Sequence, residues 1–208
     1  MKMNLPNKLT VLRLCLVPVI LIVGMLPMDF YLSCFICAVL FIVTSLTDML
    51  DGKIARKYNL ITDFGKFLDP IADKFMVIGA LFVVLYKFEE LRTLMIFVIL
   101  VIVFRELAVT SLRLVVSTGQ NIVIAANYLG KLKTVSQIVF ICTVFLEPVL
   151  QFVGIKLFNS LSEQKLECAP CTFLPILTYV TMAFTVVMTV WSGINYIKGY
   201  WKYLDPQK

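Results

Sequence analysis

The stretch TDMLDGKIARKYNLITDFGKFLDPIADK, residues 47–74, lies between two long apolar runs and carries Asp48, Asp51, Asp63, Asp69 and Asp73. On a helix, residues three or four apart share a face, so Asp48 with Asp51 and Asp69 with Asp73 each form a pair on one side of their own helix. The residues between the pairs, roughly 57–66, are basic and polar. They predict a linker that returns the chain antiparallel, bringing the two pairs together as a four-carboxylate cluster at the ends of two helices.

Outward from this window the chain is apolar. Of its 208 residues 60% are hydrophobic and 15% charged, and the mean hydropathy is +0.92, whereas a soluble domain has about 45–50% apolar and about 25% charged residues. Runs at roughly 11–28, 30–48, 67–87, 93–117, 129–150 and 173–196 are each long enough to cross a hydrocarbon core of about 30 Å. The expected fold is therefore an all-α integral membrane protein with six transmembrane helices, forming a single domain over residues 1–208. No polar segment exceeds about twenty residues, which leaves no room for a second globular domain. A soluble enzyme and an extracellular disulfide scaffold are excluded by the same composition.

A net charge of +6 does not imply a nucleic-acid partner in such a chain, because in a bilayer protein the position of the positive charges matters more than their sum. With the N-terminus inside, fourteen of the nineteen Lys and Arg residues fall on inner segments and four on outer ones, with Arg105 inside a span. The positive-inside rule thus predicts both termini in the cytoplasm and the acidic window facing it. The opening MKMNLPNKLTVLRL lacks a small-residue cleavage site and is expected to be retained. The tail KGYWKYLDPQK reads as an interfacial anchor.

The sequence contains no histidine, which removes Ser-His-Asp and Cys-His nucleophiles and imidazole-ligated metals. Cys15, Cys34, Cys37 and Cys142 read as small apolar packers. Cys168 and Cys171 fall on the expected outer face, where their spacing allows a local disulfide. Neither CxxC pair has the further ligands that zinc requires.

Acid–base or metal chemistry must then use carboxylates. Four clustered anions at a membrane edge are costly without cations, and all-oxygen ligands favour Mg²⁺ or Mn²⁺, of which two ions can clamp a phosphoryl group. Gly52, Ala55 and Gly65 leave room for a ligand to approach the backbone, and Arg56 can hold phosphate through a bidentate guanidinium. Pro70 is expected in the first turn of the third helix, where its missing N–H costs nothing. Asp63 reads most simply as a solvated loop residue.

The spacing Asp48-x2-Asp51-Gly52-x2-Ala55-Arg56-x8-Gly65-x3-Asp69-x3-Asp73 resembles, at every defined position, the signature of the CDP-alcohol phosphatidyltransferase family. The resemblance implies a six-helix membrane enzyme, commonly a homodimer, that displaces CMP from a CDP-linked alcohol using a second alcohol. It further implies that Asp48, Asp51, Asp69 and Asp73 hold two Mg²⁺ or Mn²⁺ ions and that Asp73 is also the general base. Gly52, Ala55, Arg56, Thr62 and Gly65 would line the CDP-diacylglycerol site, with Pro6, Asn7 and Thr10 from the similar N-terminal run NLPNKLTVLR.

Arg105-Glu106, Leu112-Arg113, Gly130-Lys131-x-Lys133-Thr134 and Gln137 look like the bacterial phosphatidylglycerophosphate synthase branch of that family. This implies sn-glycerol 3-phosphate as acceptor, membrane lipid as donor and environment, and the bacterial cell membrane as location. A phosphorylated acceptor needs a cationic pocket, for which Arg113, Lys131 and Lys133 sit near the inner edge. Arg105 lies deeper, where it is either the pocket floor or half of a structural ion pair. Two alternatives stay open: the same chemistry with another acceptor (phosphatidylglycerol as in a cardiolipin synthase, inositol phosphate or serine), or a divalent-cation transporter, since intramembrane carboxylates also mark ion pathways.

Overall fold

A computed structural model describes residues 4–58, 62–120, 128–161 and 175–201, with the side chains at 51, 53–57, 66, 117–120 and 160–161 outside the description. The described chain forms α1 (Leu5–Met25), α2 (Phe30–Lys57), α3 (Asp63–Lys87), α4 (Arg92–Gln120), α5 (Tyr128–Leu161) and α6 (Ile176–Tyr200). No strand occurs among the described residues. α1 packs on α2 and α3, α5 packs on α2 and α6, and α4 bridges α3 to α6. The centre of the bundle is filled by Phe41, Met76, Leu81, Met95, Ile102, Phe140 and Phe145.

On α6 the pattern of burial is inverted relative to a helix of a water-soluble bundle. The inner face of α6 carries Thr178, Thr185, Thr189, Ser192 and Gly193, while Leu177, Val180, Phe184, Val187, Trp191 and Ile194 are exposed. Small and hydroxyl-bearing residues inside with large apolar residues outside is the arrangement expected when lipid is the solvent and helices associate by close packing and hydrogen bonds. Thr185, for instance, donates its hydroxyl to the Ser136 carbonyl of α5 at 2.9 Å. The buried carboxylate of Glu147 accepts the backbone N–H groups of Leu177 at 3.0 Å and Thr178 at 2.8 Å, and so caps the start of α6 from α5.

Five of the helices are long and apolar enough to cross a membrane, α3 being the exception. Its first half carries Asp63, Lys66, Asp69, Asp73 and Lys74, and the uncharged run 75–86 covers about 18 Å at ~1.5 Å per residue. The span expected at 67–87 is thus a helix whose first turns belong to the polar site and whose remainder is packed among its neighbours.

Several expected boundaries move. α1 begins at Leu5 instead of 11, with Pro6 in its first turn. α2 continues beyond 48 through the acidic stretch to Lys57, because Lys, Ile, Ala and Arg are adequate helix formers whatever their polarity. α3 starts at Asp63, with Thr62 as its N-cap. Asp63 is therefore the exposed first residue of a helix, not a loop residue. Pro70 lies inside α3 rather than in its first turn, since the Thr62 cap moves the start upstream; it cannot donate to the carbonyl four residues back. α5 extends to Leu161.

The crossing of α1 and α3 sets the geometry of the site. A Cβ at Gly24 would overlap Val83 Cγ1, and one at Gly79 would overlap Val17 Cγ1. The two helices therefore meet almost backbone to side chain, as small residues permit in membrane bundles. This contact aligns the N-terminal turns of α1 with the acidic half of α3.

Candidate functional site

The carboxylates are positioned from three helices. Asp48 on α2 forms an ion pair with Arg13 of α1, whose side chain is buried. Asp69 on α3 accepts a hydrogen bond from Thr10 Oγ1 at 2.8 Å, and the same hydroxyl lies 3.1 Å from the Pro6 carbonyl. Asp73, one turn later, lines a cavity together with Asp48. The side chain of Asp51 lies outside the described residues. The donors are all oxygen, which suits a hard divalent cation in kind. Among the described residues no three such ligands come together closely enough to enclose one. Three carboxylates on adjoining helices, with Arg13 balancing one of them, nonetheless fit the charge such an ion would meet.

The residues expected around CDP-diacylglycerol largely converge. Thr62 accepts the Gly65 N–H at 3.1 Å and lies 3.0 Å from Asn7 Oδ1, to which it donates. Asn7 and Gly65 are buried, and a Cβ at Gly65 would come within 2.9 Å of Asn7 Oδ1. Pro6, Asn7, Thr10, Thr62 and Gly65 thus form one knot where α1 meets the start of α3. Gly52 is half-buried on α2. The side chains of Ala55 and Arg56 lie outside the described residues, as do Cys168 and Cys171.

The expected acceptor residues share one cavity of about 760 Å³ with Asp48 and Asp73: Arg105, Arg113, Lys131 and Lys133 all line it. Arg105 is both pocket wall and ion-pair partner. Its Nη1 lies 3.1 Å from Glu106 Oε1, and its Nη2 donates to Ser192 Oγ at 2.6 Å. Lys133, also buried, pairs with the same Glu106 oxygen. Arg113 Nη2 donates to Tyr196 Oη at 2.8 Å. The guanidinium carbons of Arg105 and Arg113 lie 5.7 and 5.1 Å from the centroid of the Tyr196 ring, so one buried aromatic ring serves two cations. Lys131 is exposed at the rim, and Lys74 bonds the Thr110 hydroxyl.

Sequence reasoning missed several of these partners. Arg13 was legible only as an inner positive charge, yet it is fully buried and holds Asp48. Tyr196 and Ser192 fall in an ordinary apolar run, and their contacts reach back 83 and 87 residues. Glu106 beside Arg105 could have been found as a carboxylate within an apolar span, which requires a cationic partner.

Comparison with known proteins identifies the family. A family model for CDP-alcohol phosphatidyltransferase matches residues 3–191. A relative in Bacillus subtilis (strain 168), named CDP-diacylglycerol--glycerol-3-phosphate 3-phosphatidyltransferase, is 37% identical over 97% of this chain and 97% of its own length. Relatives of the same name occur in Wigglesworthia glossinidia brevipalpis, at 39% identity over 68% of this chain and 76% of the relative, and in Haemophilus influenzae, at 31% over 95% and 94%. With the acidic spacing, the helical bundle and the match over most of its length, this chain belongs to the CDP-alcohol phosphatidyltransferase family.

Proposed function

We propose that this protein transfers the phosphatidyl group of CDP-diacylglycerol to sn-glycerol 3-phosphate, giving phosphatidylglycerol phosphate and CMP in phospholipid biosynthesis. The observation that carries the reading is the cavity in which Asp48 and Asp73 face Arg105, Arg113, Lys131 and Lys133. A carboxylate side suits the metal-bound diphosphate of the donor, and a cationic side suits an acceptor that brings its own phosphate. The names of the relatives point the same way.

In this reading Asp48, Asp51, Asp69 and Asp73 hold two Mg²⁺ or Mn²⁺ ions, which when bound neutralise charge on the diphosphate and the departing CMP. Asp73 accepts the proton of the acceptor hydroxyl. The freed oxygen attacks the phosphatidyl phosphorus in line, a new P–O bond forms, the diphosphate bridge breaks, and its electron pair leaves on CMP. Arg56, with Gly52, Ala55, Thr62 and Gly65 and the Pro6, Asn7 and Thr10 turn, seats the nucleotide. Arg105, Arg113, Lys131 and Lys133 seat the acceptor phosphate, with Tyr196 fixing the direction of Arg113 and Glu106 that of Arg105 and Lys133. Catalysis is then largely positioning and electrostatics.

The same reading includes six membrane crossings, both termini and the cavity on the cytoplasmic side of a bacterial cell membrane, and a homodimer. The uneven distribution of Lys and Arg supports the orientation. The steady-state kinetics of Arg113→Gln and Lys131→Gln test the acceptor site. Each charge-assisted hydrogen bond to a phosphate contributes roughly 1.5–3 kcal/mol, so KM for glycerol 3-phosphate should rise on the order of tenfold. KM for CDP-diacylglycerol should stay within about twofold. Equal shifts for both substrates, or none, would remove the acceptor phosphate from this cavity.

A further inference from the structure

Beside the main cavity lies a small recess, lined by Asp73, Lys74, Glu106, Lys133, Thr134 and Gln137 and closed by Val77, Ile78 and Ile102. Asp73, Glu106, Lys133 and Thr134 also line the main cavity, so the recess opens from it. Its free space is about 10 Å³, close to what a single oxygen-sized group occupies. Gln137 is 1% exposed, and its amide nitrogen has no hydrogen-bond acceptor among the described residues. Of the other polar groups around the recess, Glu106 is engaged by Lys133 and Arg105, Lys74 by Thr110 and Thr134 by the Gly130 carbonyl, while Asp73 faces both the recess and the main cavity. A buried amide without a partner beside a one-oxygen space calls for a ligand oxygen that accepts a hydrogen bond.

We propose that the recess receives the second hydroxyl of a polyol phosphate acceptor, bonded to the Gln137 amide, making Gln137 a specificity-determining residue. This rests on the acceptor reading above and deepens it. With the phosphate among Arg105, Arg113 and Lys131 and the attacking hydroxyl at Asp73, a hydroxyl on the neighbouring carbon lies next to Asp73, where the recess begins. Glu106, Lys133 and Thr134 are already bonded to one another or to backbone and Asp73 takes the attacking hydroxyl, so the Gln137 amide is the donor left to discriminate an acceptor with this hydroxyl from one without it. A bound water offers the same oxygen chemistry, and the two sources differ in what they predict for substrate choice.

The test compares sn-glycerol 3-phosphate with 1,3-propanediol monophosphate, which lacks the middle hydroxyl, in the purified full-length protein with CDP-diacylglycerol and Mg²⁺. The readout is CMP release, taken as the ratio of the two kcat/KM values. Wild type should favour glycerol 3-phosphate by on the order of tenfold or more, because a site built for a hydroxyl rejects the analogue that leaves it unpaired. In Gln137→Met, which keeps the side-chain length and loses the amide, the ratio should fall to near one. In Gln137→Asn, which draws the amide back, it should take an intermediate value, and this variant decides the matter if the methionine variant does not fold. A wild-type ratio near one, or a ratio unchanged in both variants because both acceptors lose rate equally, assigns the recess to water and overturns the proposal. No CMP release with either acceptor in wild type, but release with serine or phosphatidylglycerol, defeats the acceptor reading itself.

Discussion

At the scale of single residues, the chemistry converges on Asp73. It lines both the large cavity and its recess, and in the proposed reaction it takes the proton from the acceptor. Asp73→Asn keeps the shape and removes the base, and general-base catalysis is worth about 10²–10⁴-fold. CMP release by this variant should fall at least on the order of a hundredfold, with equilibrium binding of CDP-diacylglycerol retained; turnover above about a few per cent of wild type would move the base elsewhere. Helical spacing alone singles out the aspartates, and of these the structure brings Asp48 and Asp73 to one cavity. Lys131, Lys133 and Arg113 were legible from their position at the inner edge. Arg13 and Tyr196 were not: which side of a helix faces the site depends on the rotation of that helix against its neighbours, and their partners stand 35 residues away at Asp48 and 83 residues away at Arg113.

At the scale of elements, the α1–α3 crossing holds the site in register, and its tightest points are Gly24 against Val83 and Gly79 against Val17. Gly79→Ala should lower stability by about 1–3 kcal/mol through overpacking, read as a lower unfolding temperature in detergent. Val17→Ala in the same chain should recover much of the loss, because residues in contact are not additive. Independent, additive effects of the two changes would show that the helices do not meet there. Six helices among the described residues follow the six apolar runs in order, five of them long and apolar enough to cross a bilayer. Their ends do not follow the runs. The apolar run of the second span stops at 48, yet α2 continues to Lys57, up to the start of the polar linker expected at roughly 57–66; polarity reports contact with water or ligand, not the end of backbone hydrogen bonding. The Thr62 cap, which starts α3 seven residues before Pro70, is the local signal that outweighs the proline.

At the scale of the whole molecule, the account requires that the cavity open to the side from which glycerol 3-phosphate and CMP come and go. Tyr58, in the turn after α2, and Glu89, between α3 and α4, are both exposed and lie at opposite ends of α3. In a chain otherwise free of cysteine, Tyr58→Cys should react with an impermeant thiol reagent only from the cytoplasmic face, and Glu89→Cys only from the opposite face. Labelling of both from one face would overturn the six-crossing topology. The all-helical apolar character was legible from the composition, and the polar window from five aspartates in one short stretch. The measurement that bears most directly on the central claim is CMP release by the purified protein supplied with Mg²⁺, CDP-diacylglycerol and a panel of acceptors. The account predicts CMP in step with phosphatidylglycerol phosphate when sn-glycerol 3-phosphate is present, and little with serine, inositol phosphate or phosphatidylglycerol. CMP released as readily with any of these as with glycerol 3-phosphate would contradict it.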